Sequence, residues 1–291
     1  MNYHFAKHET FHIRTGWLRK GLNALEKNDH IFLEKIEAMD ELGIGSNMIK
    51  ALRYWMQTVN LTEEKYNSNR EKVQEKTNLA MLLEELDPYF EDTATFWILH
   101  YFLCKKEELA TTWYWFFNYF NYQEFNKELF IEKLIKFIEI TGGKVPAKSS
   151  LTKDYNVLTR MYLYDPTEHI SPEDSLESPF KDLKLIKETD DFYKINTPDL
   201  NILPADIFMY CLLDSIGNKS SINVEDLINK EKSVGKIFKF DINTLYKYIE
   251  KLESENYLKL NRHAGLNSVE IIKNNQTDIL TNYYKSLNTL V

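Results

Sequence analysis

Cysteine is almost missing from these 291 residues: Cys104 and Cys211 stand far apart and form no CxxC pair, which excludes a disulfide framework and a cysteine-built zinc site. That scarcity fits a reducing, cytoplasmic setting. Proline and glycine, at 7 and 9 residues, are too rare for a collagen-like or extended disordered polymer. Long apolar runs are lacking as well. The longest, Phe96 to Cys104, contains His100 and falls short of the roughly 18 residues a membrane span needs, and the first residues contain no apolar signal region. Neither secretion nor a membrane partner is expected. Arginine is scarce among the 36 basic residues, so a lysine at any one position carries little information. Glycine-rich phosphate loops of the GxxxxGK or GxGxxG type and a GxSxG nucleophile elbow are also missing, which leaves nucleotide hydrolysis and serine chemistry without support.

What is present is a globular composition, 43% apolar and 27% charged, with length for two or three domains. The net charge of −8 argues against a nucleic-acid partner until its distribution is considered. Residues 1–60 carry 8 basic and 7 acidic side chains, residues 61–200 carry 17 and 26, and residues 201–291 carry 11 of each. The acidity is therefore confined to the middle. Hydrophobic periodicity predicts a mainly α protein: a helical bundle with helix-turn-helix and winged-helix units and short β-hairpin wings. The expected division is an N-terminal helix-turn-helix domain (1–75), an aromatic-rich helical domain with a winged-helix unit (76–200), and a C-terminal winged-helix domain (201–291).

Three helices are candidate DNA readers. Around Glu41-Leu42-Gly43-Ile44-Gly45-Ser46, Ala38, Gly43, Ile44, Met48 and Leu52 meet the needs of a helix-turn-helix. Phe32, Ile36 and Met39 form the apolar stripe of its first helix, Ser46 or Asn47 caps the second, and that second helix presents Asn47, Lys50, Arg53 and Tyr54. A helix from Ser149 to Tyr164, capped by Ser149 and ended by Asp165-Pro166, places Lys153, Asn156 and Arg160 on one face, opposite Leu151, Tyr155 and Leu158; residues 171–179 read as a surface loop. The last unit offers Thr244, Lys247 and Lys251 on its third helix, with Arg262 and His263 at the wing tip. In each case the competing interpretation is a solvated or salt-bridged helix face.

Two further constellations weigh less. His8-Glu9-Thr10-Phe11-His12 is a literal HExxH, which on a helix would direct two imidazoles at a zinc ion, yet no apolar helix surrounds it and no third ligand follows. The aromatic runs Phe96 to Phe102 and Trp113 to Phe120 have rings that can stack bases but almost no interleaved Lys or Arg, so a buried core is expected, with His100 hydrogen-bonded inside it.

The segments His8 to Phe11, Arg14 to Gly21, Leu42 to Met48 with Arg53-Tyr54-Trp55, Trp97 to His100, Trp113 to Phe117, Asp154 to Tyr162 and Ser178-Pro179 resemble a bacterial domain-of-unknown-function family. Its members accompany DNA sulfur-modification (phosphorothioation) genes and phage-defence islands, and it supplies no established catalytic residues. The resemblance implies a DNA-modification or restriction setting. The expected protein is a non-catalytic DNA-binding accessory factor with no cofactor or metal, whose partner is duplex DNA, sulfur-modified or plain. The alternative is a scaffold that docks a modification or restriction enzyme.

Overall fold

The structure is a computed structural model that describes residues 2–164, 177–263 and 266–288. After an irregular arm come α1 (Trp17–Lys27), α2 (Lys35–Leu42) and α3 (Ser46–Thr58), followed by a hairpin of β1 (Thr62–Tyr66) and β2 (Lys72–Lys76). Gly21 lets α1 lie directly on α3, because a Cβ there would meet Met56 Sδ at 2.3 Å. Gly43 ends α2 in the left-handed region (φ 64°), as the turn between α2 and α3 demands. Gly45, rather than Ser46 or Asn47, occupies the N-cap of α3. In α2 the buried residues are Ala38 and Leu42, whereas Ile36 is 72% exposed and Met39 is also exposed, so of the expected stripe only Phe32, ahead of the helix, faces inward.

The middle of the chain forms α4 (Asn78–Leu86), α5 (Thr93–Leu103), α6 (Thr111–Asn118), the short β3 (Glu124–Phe125), α7 (Lys127–Ile140) and α8 (Lys148–Tyr162). Side chains of Thr77, Asp92 and Asn126 cap α4, α5 and α7 by accepting backbone N–H bonds. Helix α8 begins one residue before Ser149, with Ala147 at its N-cap, and gives way to β4 (Leu163–Tyr164) after Tyr162. The expected stop at Asp165-Pro166 and most of the expected loop at 171–179 lie outside the described residues. A 3-10 turn (Pro179–Leu183), β5 (Ile186–Glu188) and β6 (Tyr193–Ile195) follow. The strands join in the order β3-β6-β5-β4, with β4 and β5 parallel.

The last part comprises α9 (Ala205–Ile216), β7 (Ser221–Asn223), α10 (Val224–Asn229), α11 (Val234–Ile237), α12 (Ile242–Ser254), β8 (Leu258–His263), β9 (Leu266–Ile271) and α13 (Gln276–Asn288). Its sheet has the order β7-β9-β8, and α13 packs against α9 and α4.

The expectation of a mainly α protein does not hold. With three sheets among the described residues and about 52% helix against 12% strand, the fold is mixed α and β. The strands that escape sequence reasoning are short and weakly patterned: β1 (Thr-Glu-Glu-Lys-Tyr) and β2 (Lys-Val-Gln-Glu-Lys) are mostly charged, and β3 and β4 are two residues each. One contiguous hydrophobic core runs through the molecule and contains the aromatic runs, including Trp97, Trp113, Phe116 and Phe117. Within it His100 donates from Nε2 to Ile237 O (3.2 Å) and accepts at Nδ1 from the Tyr162 hydroxyl (2.8 Å). Among the described residues no helix is long and apolar enough to cross a membrane.

Candidate nucleic-acid interface

The N-terminal arm bridges α3 and α8. Asp154 of α8 is buried, and its Oδ1 accepts from Ala6 N (2.7 Å) and His8 Nε2 (2.9 Å), while Oδ2 accepts from Thr112 Oγ1 (2.5 Å). Thr10 N–H donates to His8 Nδ1 (3.1 Å), which fixes the proton on Nε2, facing Asp154. The imidazole stacks on Trp55 of α3 and meets Tyr54 and Trp113 edge-on. Burial, and then the Asp154 charge, push the Tyr54 hydroxyl pKa well up. His8 is thus a bolt between α3 and α8. The HExxH segment is a run of turns in which Glu9 and Thr10 have φ of 49° and 72°, so the helix that would align His8 and His12 on a zinc ion is not formed.

On α3, Asn47 and Lys50 are exposed; Lys50 Nζ donates to Asn47 Oδ1 (3.3 Å) and lies 3.9 Å from Glu9 Oε1. Arg53 is half-buried and engaged: its Nε donates to Glu64 Oε1 (2.6 Å), and its Nη2 donates to the same oxygen. Gln57 Nε2 donates there too (3.0 Å), and Lys72 Nζ reaches Glu64 Oε2. Burial pushes the Glu64 carboxyl up, but the bonds and charges of Lys72 and Arg53 outweigh it and hold the pKa below the usual carboxylate range. These groups line a cleft of about 550 Å³ whose walls include His4, Lys7, Glu9, Lys50, Tyr54 and Leu109. Glu64 and Lys72 belong to the unforeseen hairpin; sequence offered no signal for it beyond the polar Asn67-Ser68-Asn69 turn.

On α8, Lys153, Asn156 and Arg160 are all exposed on one face, and among the described residues none has a side-chain partner. On α12, Lys247 is exposed, Lys251 pairs with Glu255 (2.7 Å), and Thr244 is half-buried with its N–H held by the Asp241 cap (2.7 Å). Arg262 is exposed on β8; the backbone of His263 pairs with Leu266, while its side chain lies outside the described residues. Side-chain bonds of α12 run to Asp199, Leu203, Leu260 and Asn267.

The model of one family matches residues 5–284. The chain belongs to DUF4007, a family of proteins of unknown function. No curated protein matches it. Among solved structures, this DUF4007 chain is similar to a magnesium ion-bound SspB crystal structure, at 26% identity, 98% coverage of this chain, 89% coverage of that one and a TM-score of 0.85. It is likewise similar to another SspB crystal structure, at 27% identity, the same coverage and a TM-score of 0.84.

Proposed function

We propose that this protein binds duplex DNA as a non-catalytic member of a DNA-modification or restriction system of the phosphorothioation type. The observation that carries this reading is the α8 face, where Lys153, Asn156 and Arg160 are exposed and, among the described residues, carry no carboxylate partner, although they lie within the acidic stretch 61–200. In α3 the exposed pair Asn47 and Lys50 adds an amide and a cation suited to base edges and phosphates. The last part, with helix, strand, helices and then hairpin and the strand order β7-β9-β8, has the layout of a winged helix, on which Lys247 and Arg262 are exposed. Membership of DUF4007 and the likeness to SspB are consistent with the setting that the sequence resemblance implies.

The test is a salt titration of binding to duplex DNA with and without phosphorothioate. Each neutralised phosphate contributes about −0.9 to the slope of log K against log salt. A negative slope supports the reading; binding that is absent or indifferent to salt removes it. If a stoichiometric protein partner then co-purifies, the exposed faces dock that protein.

Magnesium-dependent phosphodiester chemistry on DNA is a second reading, favoured by the ion in the SspB crystal. This chain's own residues do not fit a magnesium cage: among the described residues no three His, Cys, Asp or Glu side chains converge, and Glu64, enclosed in the cleft, is already shared between Arg53 and Lys72. Conversion of supercoiled plasmid to open circles with Mg²⁺, and not with EDTA, would put this reading in place of the first.

A further inference from the structure

The cleft beside α3 is lined by four cations, Lys7, Lys50, Arg53 and Lys72, and by two carboxylates, Glu9 and Glu64, of which Glu64 gathers most of the bonds. The Glu64 side chain is only 19% exposed, and both of its oxygens are used: Oε1 takes Arg53 and Gln57, Oε2 takes Lys72. A guanidinium, an amide and an ammonium converging on two anionic oxygens is also the bonding set that holds a phosphodiester. Glu64 reaches this position from β1 of the hairpin and lines the cleft. While it sits there, Arg53 and Lys72 are not left as unpaired, partly buried cations.

We propose that Arg53, Gln57 and Lys72 form a seat for one backbone phosphate of DNA, that Glu64 fills this seat in the free protein, and that DNA displaces it. The proposal rests on the DNA-binding reading above. Displacement exchanges one anion for another on the same donors and returns the Glu64 carboxylate to water. The competition makes the seat selective: an isolated anion must overcome the tethered carboxylate, whereas DNA arrives with additional contacts from Lys50 and from α8. The same bonds also clamp the hairpin to α3, and a clamp alone predicts a different response when Glu64 loses its charge.

Glu64→Gln and Lys72→Gln, titrated with duplex DNA across a range of salt and each checked by thermal denaturation, separate the two. With the seat, Glu64→Gln binds several-fold more tightly than wild type at fixed salt, because nothing anionic competes. Lys72→Gln retains the Arg53–Glu64 bonds and the fold, and its salt slope becomes shallower by about 0.9. Wild-type affinity in a folded Glu64→Gln protein, or weaker binding together with a lower melting temperature, leaves Glu64 as a clamp and overturns the seat. An unchanged slope in Lys72→Gln overturns it too, and this variant decides the matter should Glu64→Gln fail to fold. If wild type binds DNA and neither variant responds, only the seat falls; if wild type and both variants ignore DNA, the reading beneath it falls as well.

Discussion

His8 and His100 are both fully buried, and their surroundings give them different tasks. His8 meets a carboxylate and ties the arm to α8; His100 meets only a tyrosine hydroxyl, a backbone carbonyl and aromatic rings. Burial, partly offset by the Ile237 carbonyl and reinforced by the Lys239 charge, lowers the His100 pKa to about 3. The unfolded chain takes up this proton near pH 6.5, whereas the folded chain does so only near pH 3. Stability from this group is therefore present above pH 6.5 and lost as pH falls through the window between those values. Between pH 7.5 and 5, where carboxylates are still ionised, the contribution is about 2 kcal/mol. Urea denaturation at the two pH values should show that much more acid sensitivity in wild type than in His100→Gln, and equal sensitivity would contradict the assignment.

Among the helices, α8 separates packing from recognition most cleanly. Leu151, Tyr155 and Leu158 face the core and Asp154 holds the arm, leaving Lys153 and Arg160 exposed with no side-chain partner among the described residues. Replacing Lys153 and Arg160 by Gln should leave the melting temperature within about a degree, since surface changes of this kind stay within about 0.5 kcal/mol. The same double variant should make the salt slope of DNA binding shallower by about 1.8. A normal slope with normal stability would reassign this face to another partner. Helix α2 is the contrast: Ile36 and Met39 are spaced for burial, yet only Ala38 and Leu42 are covered, because the close approach of α1 to α3 leaves α2 to contact them through one narrow side.

For the whole molecule, the decisive contacts cross between the regions that sequence would separate. Trp97 Nε1 donates to Ile202 O (2.8 Å), Lys239 Nζ donates to Phe116 O and Phe120 O (2.7 Å each), and the hydroxyls of Thr95 and Tyr284 lie 2.7 Å apart. Burial and the neighbouring Lys236 lower the Lys239 amine pKa to about 7, and its two carbonyl acceptors join the end of α6 to the segment before α12. Segments linked through a shared core should unfold together, so calorimetry is expected to show one transition with equal van't Hoff and calorimetric enthalpies. Two resolved transitions would instead show independently folding domains.

The sequence by itself determined the long helices, the turn at Gly43, two of the hairpins and the burial of the aromatic runs, because helical periodicity, glycine conformation and ring hydrophobicity act locally or through composition. It also marked Lys50, Lys153, Asn156 and Arg160 as outward-facing, since helix geometry sets direction without knowledge of the neighbours. Tertiary structure alone decided which charges are free. Arg53 is committed to Glu64 and Lys72 stands beside it through a hairpin of charged residues with no alternation to announce it. His8 found Asp154 across 146 residues, making a structural bolt of a metal-like motif. Such pairings depend on which segments pack together, and an ion pair between distant residues leaves no local periodicity to read.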